Sequence, residues 1–504
     1  MTKHQNSSAT SFEAKILVMW KSTWREEKEA FVSGLTGSSH VMDVVRVTML
    51  PSMLVVVYWC VMSVCPHARG YNQYYMVLGR LVEFLVIVVP LIVQLTREDH
   101  VMGFMAAGIA AVWGGMRMWR YRHGEVVNLN VEHFEAWRSE SVKMIQDAVS
   151  LHRANVMLMT CLAILAVDFR VFPRSYAKTE VYGTSLMDAG VGSIVLCSSY
   201  VEGVKQMQST RYRQGSGKKL KEASFSSVMR VAMLVLLGVA RPMVLVLIGY
   251  QVHVGEYGMH WNFFLTLAVL RACISNVPRS TSPFALGMVL LCAHQYGLSR
   301  LGLADLANAQ SSLEERRTMN VLYQNKEGII SLPGYLALHF LGVWCAKFHI
   351  WLTSKPRFVG MRGWNVLQVV FVGFLWVAYW FASTYIGPAS RRTCNPTFVL
   401  WMLAINLLAI VVNTVCLNLV SLDTTRIRVT SNTQEQQGRI ASPYIPPLLN
   451  SMNKGMLYVF LLSNVLTGIV NSMIDTLQVD DMMARGILLA YMGLVYMLTR
   501  YLFT

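Results

Sequence analysis

Between two long apolar runs lies AVDFRVFPRSYAKTEVYGTSLMDAGVGS, Ala166 to Ser193, which carries Asp168, Arg170, Arg174, Lys178, Glu180 and Asp188. Six ionisable groups at a membrane edge are costly unless paired or wet, so this crowding marks a candidate reaction site. Carboxylates and amines placed there can exchange protons and stabilise developing charge. Asp168 and Lys178 would stand about 15 Å apart along an unbroken helix, too far to cooperate. Pro173 disfavours helix just before it and lets the chain fold back, so the two can meet across a turn. By residue type alone, all six groups stay open as candidates.

The elements that must hold this stretch are membrane helices. The chain has 504 residues, of which 54% are hydrophobic and 14% charged, whereas soluble domains approach a quarter charged. Apolar runs of about 20 residues predict spans near 43–64, 74–96, 100–119, 154–172, 187–206, 228–249, 260–276, 282–297, 331–352, 364–386, 397–420, 455–476 and 484–503. The expected fold is all-α, a polytopic transmembrane bundle of about thirteen helices with an N-terminal interfacial helix. Continuous rather than alternating hydrophobicity excludes a barrel. Residues 1–504 read as one membrane domain without internal repeats, with 1–40 an amphipathic N-terminal segment and 429–450 a flexible Gln-, Ser- and Pro-rich loop. A short amphipathic helix through Phe134, Trp137, Met144 and Ile145 is expected before span four.

The formal net charge of +16 is spread over many loops, which excludes a nucleic-acid module and reads as a topology signal. Loops after the odd-numbered spans up to the eleventh hold roughly twice the Lys and Arg of the others, so they are expected in the cytosol. The N-terminus, the loop 170–186 and residues 429–450 then fall on the lumenal, lumenal and cytosolic sides respectively. Asn6 begins a glycosylation sequon whose use would test that topology. The nine cysteines show no metal-ligand spacing, and those in apolar runs, such as Cys161, Cys197 and Cys292, read as buried thiols.

Two further stretches reach the same side. GYQVHVGEYGMHWNFF supplies His253, Glu256, His260, Trp261 and Asn262, and NKEGIISLPGY places Asn325 and Glu327 at the start of span nine. Interfacial anchoring explains a lone Trp or His, and helix capping explains Glu327; lining a site is the sharper reading. No GxSxG, P-loop, HExxH or HxxxxD element occurs, so serine hydrolase, NTPase and metalloprotease chemistry lack support. A lipid or solute transporter fits the helix number, yet span interiors read as poor in the charges that bind coupling ions. An O-acyltransferase using an intramembrane histidine is another alternative, for which His339 is available.

KEAFVSGLTGSS, DFRVFPRSYAKTEVYGTSLMDAGVGS, VHVGEYGMHWNFF, NKEGIISLPGY, SRRTCNPTFVLWMLAIN and LSNVLTGIVN occur in this order. They resemble the signature blocks of the glucosaminyl-phosphatidylinositol inositol acyltransferases of GPI-anchor synthesis. The resemblance implies a multi-pass enzyme of the endoplasmic reticulum membrane, its main motifs facing the lumen. It would move a fatty acyl group, typically palmitoyl, from acyl-CoA to the inositol 2-hydroxyl of the lipid GlcN-PI. Acyl-CoA is then a co-substrate, with no permanently bound cofactor or metal, and the partners are the two substrates and the bilayer. The family's catalytic Asp and Lys fall on Asp168 and Lys178. Arg170, Arg174, Tyr182, His260, Trp261, Asn262, Asn325 and Glu327 become candidates for phosphate, sugar or CoA contacts.

Acyl transfer from a thioester asks a site to hold the hydroxyl, take its proton and stabilise an oxyanion. Asp168 is expected to accept the proton while Lys178 orients it and stabilises the oxyanion; a neutral, desolvated Lys178 as base is the reversed assignment. An ion pair that merely ties the loop to span four is the non-catalytic alternative.

Overall fold

The computed structural model describes residue 31 and residues 40–64, 73–97, 101–122, 131–209, 228–240, 257–278, 280–309, 316, 318–353, 366–421 and 444–503. Helices α1 (Val41–Val64), α2 (Gln73–Glu83), α3 (Val89–Leu95), α4 (Val101–Arg122), α5 (Val131–Ala166) and α6 (Leu186–Ser209) form the first half, with a π-helical turn, Phe84–Val88, joining α2 to α3. After α7 (Val228–Ala240) come α8 (Phe263–Ser275), α9 (Pro283–Arg300), α10 (Leu303–Asn308), α11 (Val321–Gln324) and α12 (Lys326–Thr353). The last group is α13 (Val366–Tyr385), α14 (Pro396–Ser421), α15 (Pro447–Lys454), α16 (Met456–Met473) and α17 (Asp481–Phe503). No β-strand occurs among the described residues. The chain is an all-α polytopic membrane protein.

Among the described residues, eight helices are long and apolar enough to cross a membrane, and Val101–Met116, Val228–Ala240 and Phe263–Ser275 are shorter apolar helices. Eight of the thirteen expected spans therefore meet the length and composition a crossing demands. Burial sorts them. The apolar windows of α5, α12 and α14 are 72%, 72% and 78% buried, against 28% for α13 and 17% for α16. The first three are the core, and the last two turn most of their apolar surface outward, as lipid-facing helices do.

Lipid offers no hydrophobic drive for helices to associate, so close packing and buried polar contacts must hold the core together. The tightest pair is α6 with α12. A Cβ on Gly203 would stand 2.7 Å from the Val343 carbonyl oxygen, so only glycine lets the backbones approach. Helix α14 packs on α1, α5, α6, α12 and α13. His152 Nε2–H on α5 donates to Asn406 Oδ1 on α14 at 2.7 Å, and Asn413 Nδ2–H donates to the Ala148 carbonyl at 3.3 Å.

Four expectations change. The amphipathic helix and span four are one continuous 36-residue helix, which stops at Ala166 and not at 172. The end of the loop 429–450 is helical from Pro447, with Leu448 and Leu449 fully buried. Cys161 and Cys197 are buried thiols, but Cys292 is exposed, because its apolar run faces outward. Span interiors are richer in charge than hydropathy implies: Glu83 is buried among α2, α15 and α17, and Glu202 on α6 lies 3.4 Å from His339 Nε2 on α12. Asn6, His253, Glu256 and nearly all of 1–40 lie outside the described residues.

Candidate active site

Helix α5 ends at Ala166, and the turn that follows it is held by Arg174. The Arg174 guanidinium folds back, with Nη2 donating to the Val167 and Phe169 carbonyls at 2.8 and 2.9 Å and Nε donating to the Phe172 carbonyl at 3.2 Å. All three carbonyls lie past the helix, so the guanidinium staples the turn that follows α5. Pro173 then opens the 3₁₀ turn Arg174–Tyr176, so the break precedes the proline that the sequence points to. The same guanidinium stacks over the Phe31 ring at 4.1 Å. Burial pushes Arg174 down to about 10, although nearby Asp168 favours its charged form. Arg174 is thus engaged in holding the turn after α5, which the reading of it as a phosphate ligand did not foresee.

Asp168 sits in the turn just past α5 and is 6% exposed. Its Oδ2 accepts from Asn471 Nδ2–H at 2.7 Å, from the last turn of α16. Lys178, half-buried, lies ten residues on in the same loop, directly before Thr179. Thr179 is fixed by Asp188, whose carboxylate is fully buried. Asp188 Oδ2 accepts from the Thr179 N–H at 3.0 Å, the Thr179 hydroxyl at 2.7 Å and the Ser185 hydroxyl at 2.8 Å. Its Oδ1 accepts from Arg391 Nε–H at 2.7 Å. Ser185 in turn accepts from the Asp188 N–H at 3.2 Å, the reciprocal exchange that starts α6. Lys178 is therefore placed by its neighbour's bonds to Asp188.

The loop between α13 and α14 meets this knot. Gly183 N–H donates to the Ala389 carbonyl at 2.8 Å, and Arg391 stands over the Tyr257 ring at 5.6 Å. Cys394 adopts φ 50°, a backbone conformation a side chain rarely takes. The Asn395 side chain bridges the Ser390 and Phe398 N–H groups, and His294 Nε2–H donates to the Thr393 carbonyl at 2.8 Å. A Cβ on Gly334 of α12 would lie 2.1 Å from the Cys394 carbonyl oxygen, so this turn seats directly on α12.

Residues 257–262 pack on the start of α12. Asn325 Oδ1 accepts from the His260 and Trp261 N–H groups at 2.9 Å each. Asn262 caps α8 by accepting from Phe264 and Leu265 N–H, and Trp261 Nε1–H donates to Thr266 Oγ1 at 2.9 Å. Glu327, buried, accepts from Arg316 Nη2–H at 2.6 Å. Burial lowers Arg392, against which Glu327 and Glu180 favour its charge. Asn262, Asn325 and Glu327 thus hold loops together, whereas Arg170, Tyr182 and His260 are exposed.

These bonds join all six blocks at one end of the bundle, from Phe31 under Arg174 to Asn471 on Asp168. Sequence reasoning missed four of the residues that do this. Asn471 and Arg391 stood inside quoted blocks, Asp188 was counted among the charges, and Arg316 carried no signal beyond its place in a run of charges.

Comparison with known proteins agrees with this convergence. The GWT1 family profile matches residues 24–502. A GPI-anchored wall transfer protein 1 of Emericella nidulans is 34% identical over 363 residues, covering 70% of this chain and 71% of that protein. The phosphatidylinositol-glycan biosynthesis class W protein of Dictyostelium discoideum is 29% identical, covering 93% of this chain and 95% of that protein. The glucosaminyl-phosphatidylinositol-acyltransferase PIGW of Mus musculus is 28% identical, with the same coverage of 93% and 95%.

Proposed function

The chain belongs to the GWT1 family, and on that premise we propose that it is an O-acyltransferase of GPI-anchor biosynthesis. It transfers a fatty acyl group, palmitoyl in the simplest case, from acyl-CoA to the inositol 2-hydroxyl of GlcN-PI in the endoplasmic reticulum membrane, with the six-block end facing the lumen. The relatives named for this chemistry and for GPI biosynthesis align over nearly the whole chain, which supports the reaction class.

The observation that carries the site is the Asp168–Asn471 contact. The Asn471 amide fixes one carboxylate oxygen at the end of α16, so the Asp168 carboxylate is held in one place, positioned to take a proton from a substrate hydroxyl. The inositol hydroxyl gives that proton to Asp168 as its oxygen attacks the thioester carbonyl. Lys178 stabilises the oxyanion; collapse of the intermediate expels the CoA thiolate and leaves the inositol ester. The half-buried setting of Lys178 suits a group that meets an anion formed only during reaction.

Purified protein incubated with labelled palmitoyl-CoA and GlcN-PI should yield acylated inositol and free CoA. If both substrates are recovered unchanged from folded protein while labelled lipid crosses proteoliposomes, a transporter is the better description. If Asp168→Asn remains active while His339→Ala is dead, the histidine-dependent class is the better one.

A further inference from the structure

Helix α17 begins beside the six blocks, where Arg485 Nε–H donates to Thr96 Oγ1 at 3.2 Å. Its 23 residues carry Arg500 about 22 Å from Arg485, to the opposite end of the bundle. There Tyr496 meets the end of α2, its hydroxyl 3.1 Å from the Arg80 carbonyl oxygen, and its ring stands edge to face with Phe84 of the π turn at 5.6 Å. Between the two helices lies a cavity of about 490 Å³ lined by Arg80, Met497, Leu498, Arg500 and Tyr501.

Two guanidinium groups on an outward-facing groove need an explanation. Arg80 is exposed in the first turns of its span, beside exposed Val77, Leu78 and Leu81. Among the described residues its guanidinium has no hydrogen-bond partner. Glu83, the nearby carboxylate, acts electrostatically on both guanidiniums while Oε1 accepts from the Leu448 N–H at 2.6 Å and Oε2 from the Tyr496 hydroxyl at 3.0 Å, and one carboxylate against two guanidiniums leaves the groove net positive. Arg500 is held in place by donating from Nη1 to Ser451 Oγ at 3.3 Å. A positive charge ringed by lipid-facing leucine and valine is costly unless it reaches an anion at the membrane surface. Guanidinium groups bind phosphate through paired N–H donors, and basic pockets between membrane helices suit anionic head groups. Exposed Met497 and Tyr501 give the same groove an apolar wall for the acyl chains.

We propose that the groove between α2 and α17 binds the phosphate of an anionic glycerophospholipid, with Arg80 and Arg500 as its two ligands, at the end of the bundle remote from Asp168. This site is independent of the acyl-transfer reading. It gives the enzyme a resident lipid whose binding favours the folded bundle, because any ligand specific for the native state stabilises it.

The test is thermal unfolding of delipidated full-length protein in neutral detergent, titrated separately with dioleoyl-phosphatidylglycerol, dioleoyl-phosphatidylcholine, CoA and inorganic phosphate. Phosphatidylglycerol should raise the midpoint by several degrees and the other three should not. Arg80→Gln, which removes an exposed side chain without a bonding partner, should fold normally and weaken the apparent lipid affinity about tenfold, the value of one charge-assisted bond. Arg80→Gln/Arg500→Gln should abolish the shift. An undiminished lipid shift in Arg80→Gln overturns the proposal. So does an Arg80-dependent shift with CoA or inorganic phosphate, which assigns the groove to a soluble polyphosphate or free anion.

Discussion

Two carboxylates in one stretch of chain, Asp168 and Asp188, look alike in sequence and are treated oppositely by the fold. Asp188 is fully buried and has an arginine on one oxygen and three donors on the other. Asp168 is nearly as buried, yet the contact that fixes its Oδ2 is the neutral amide of Asn471. Density of charge therefore locates a region but does not rank its members. The hydrogen bonds do: a guanidinium and three further donors saturate Asp188 into a fastener, while the Asn471 amide holds one oxygen of Asp168 in position.

The sharpest way to break this contrast is to exchange the fates of the two. Asp168→Asn and Lys178→Ala should each lower acyl transfer by at least about 10²–10⁴-fold, the usual range for a lost proton-transfer group, with unchanged expression and unfolding midpoint. Near-normal turnover in either variant would sink the assignment. Asp188→Asn should instead cost folded protein, since breaking a buried pair typically takes about 3–5 kcal/mol. A cycle with Arg391→Gln should show the double variant costing less than the sum of the singles, because neither charge is then left alone. If Asp188→Asn yields stable, inactive enzyme, Asp188 belongs to the chemistry after all.

Smaller effects sharpen the same contrast. Asn471→Ala should reduce turnover about 10–100-fold, in line with about 1.5–3 kcal/mol for a bond to a charged group, while leaving the midpoint nearly unmoved. A change in the apparent affinity for GlcN-PI alone would make Asn471 a substrate ligand and not the keeper of Asp168. Gly334→Ala should produce the least, a destabilisation of about 1–3 kcal/mol from overpacking, because the Cys394 turn must lift off α12. Activity should fall only as far as folded protein does.

The helical scaffold was legible because lipid imposes a length and a composition on anything that spans it, and those rules act on consecutive residues. The helical end of the loop at Pro447–Lys454 was not, since it answers to Glu83, whose carboxylate accepts from the Leu448 N–H 365 positions away. The turn that follows α5 at Ala166 escaped for a related reason: it is held by the side chain of Arg174 reaching back to carbonyls of residues before Pro173. In the site, residue type found the loop and the resemblance singled out Asp168 and Lys178. The roles of Asn262, Asn325 and Arg174 as caps and loop ties depended on which backbone groups lay opposite them, which no spacing encodes.

The bond between Asp168 and Asn471 spans 303 residues of chain, and this sets a clock on biogenesis. At synthesis rates of about 5–20 residues per second, Asn471 emerges about 15–60 s after Asp168 has been made. Through that interval the Asp168 end of the bundle is unfinished, whatever the first helices have already done in the bilayer. On the proposed role of Asp168, activity arrives only near the end of translation, and a chain cut short before α16 forms would lack the bond that fixes it.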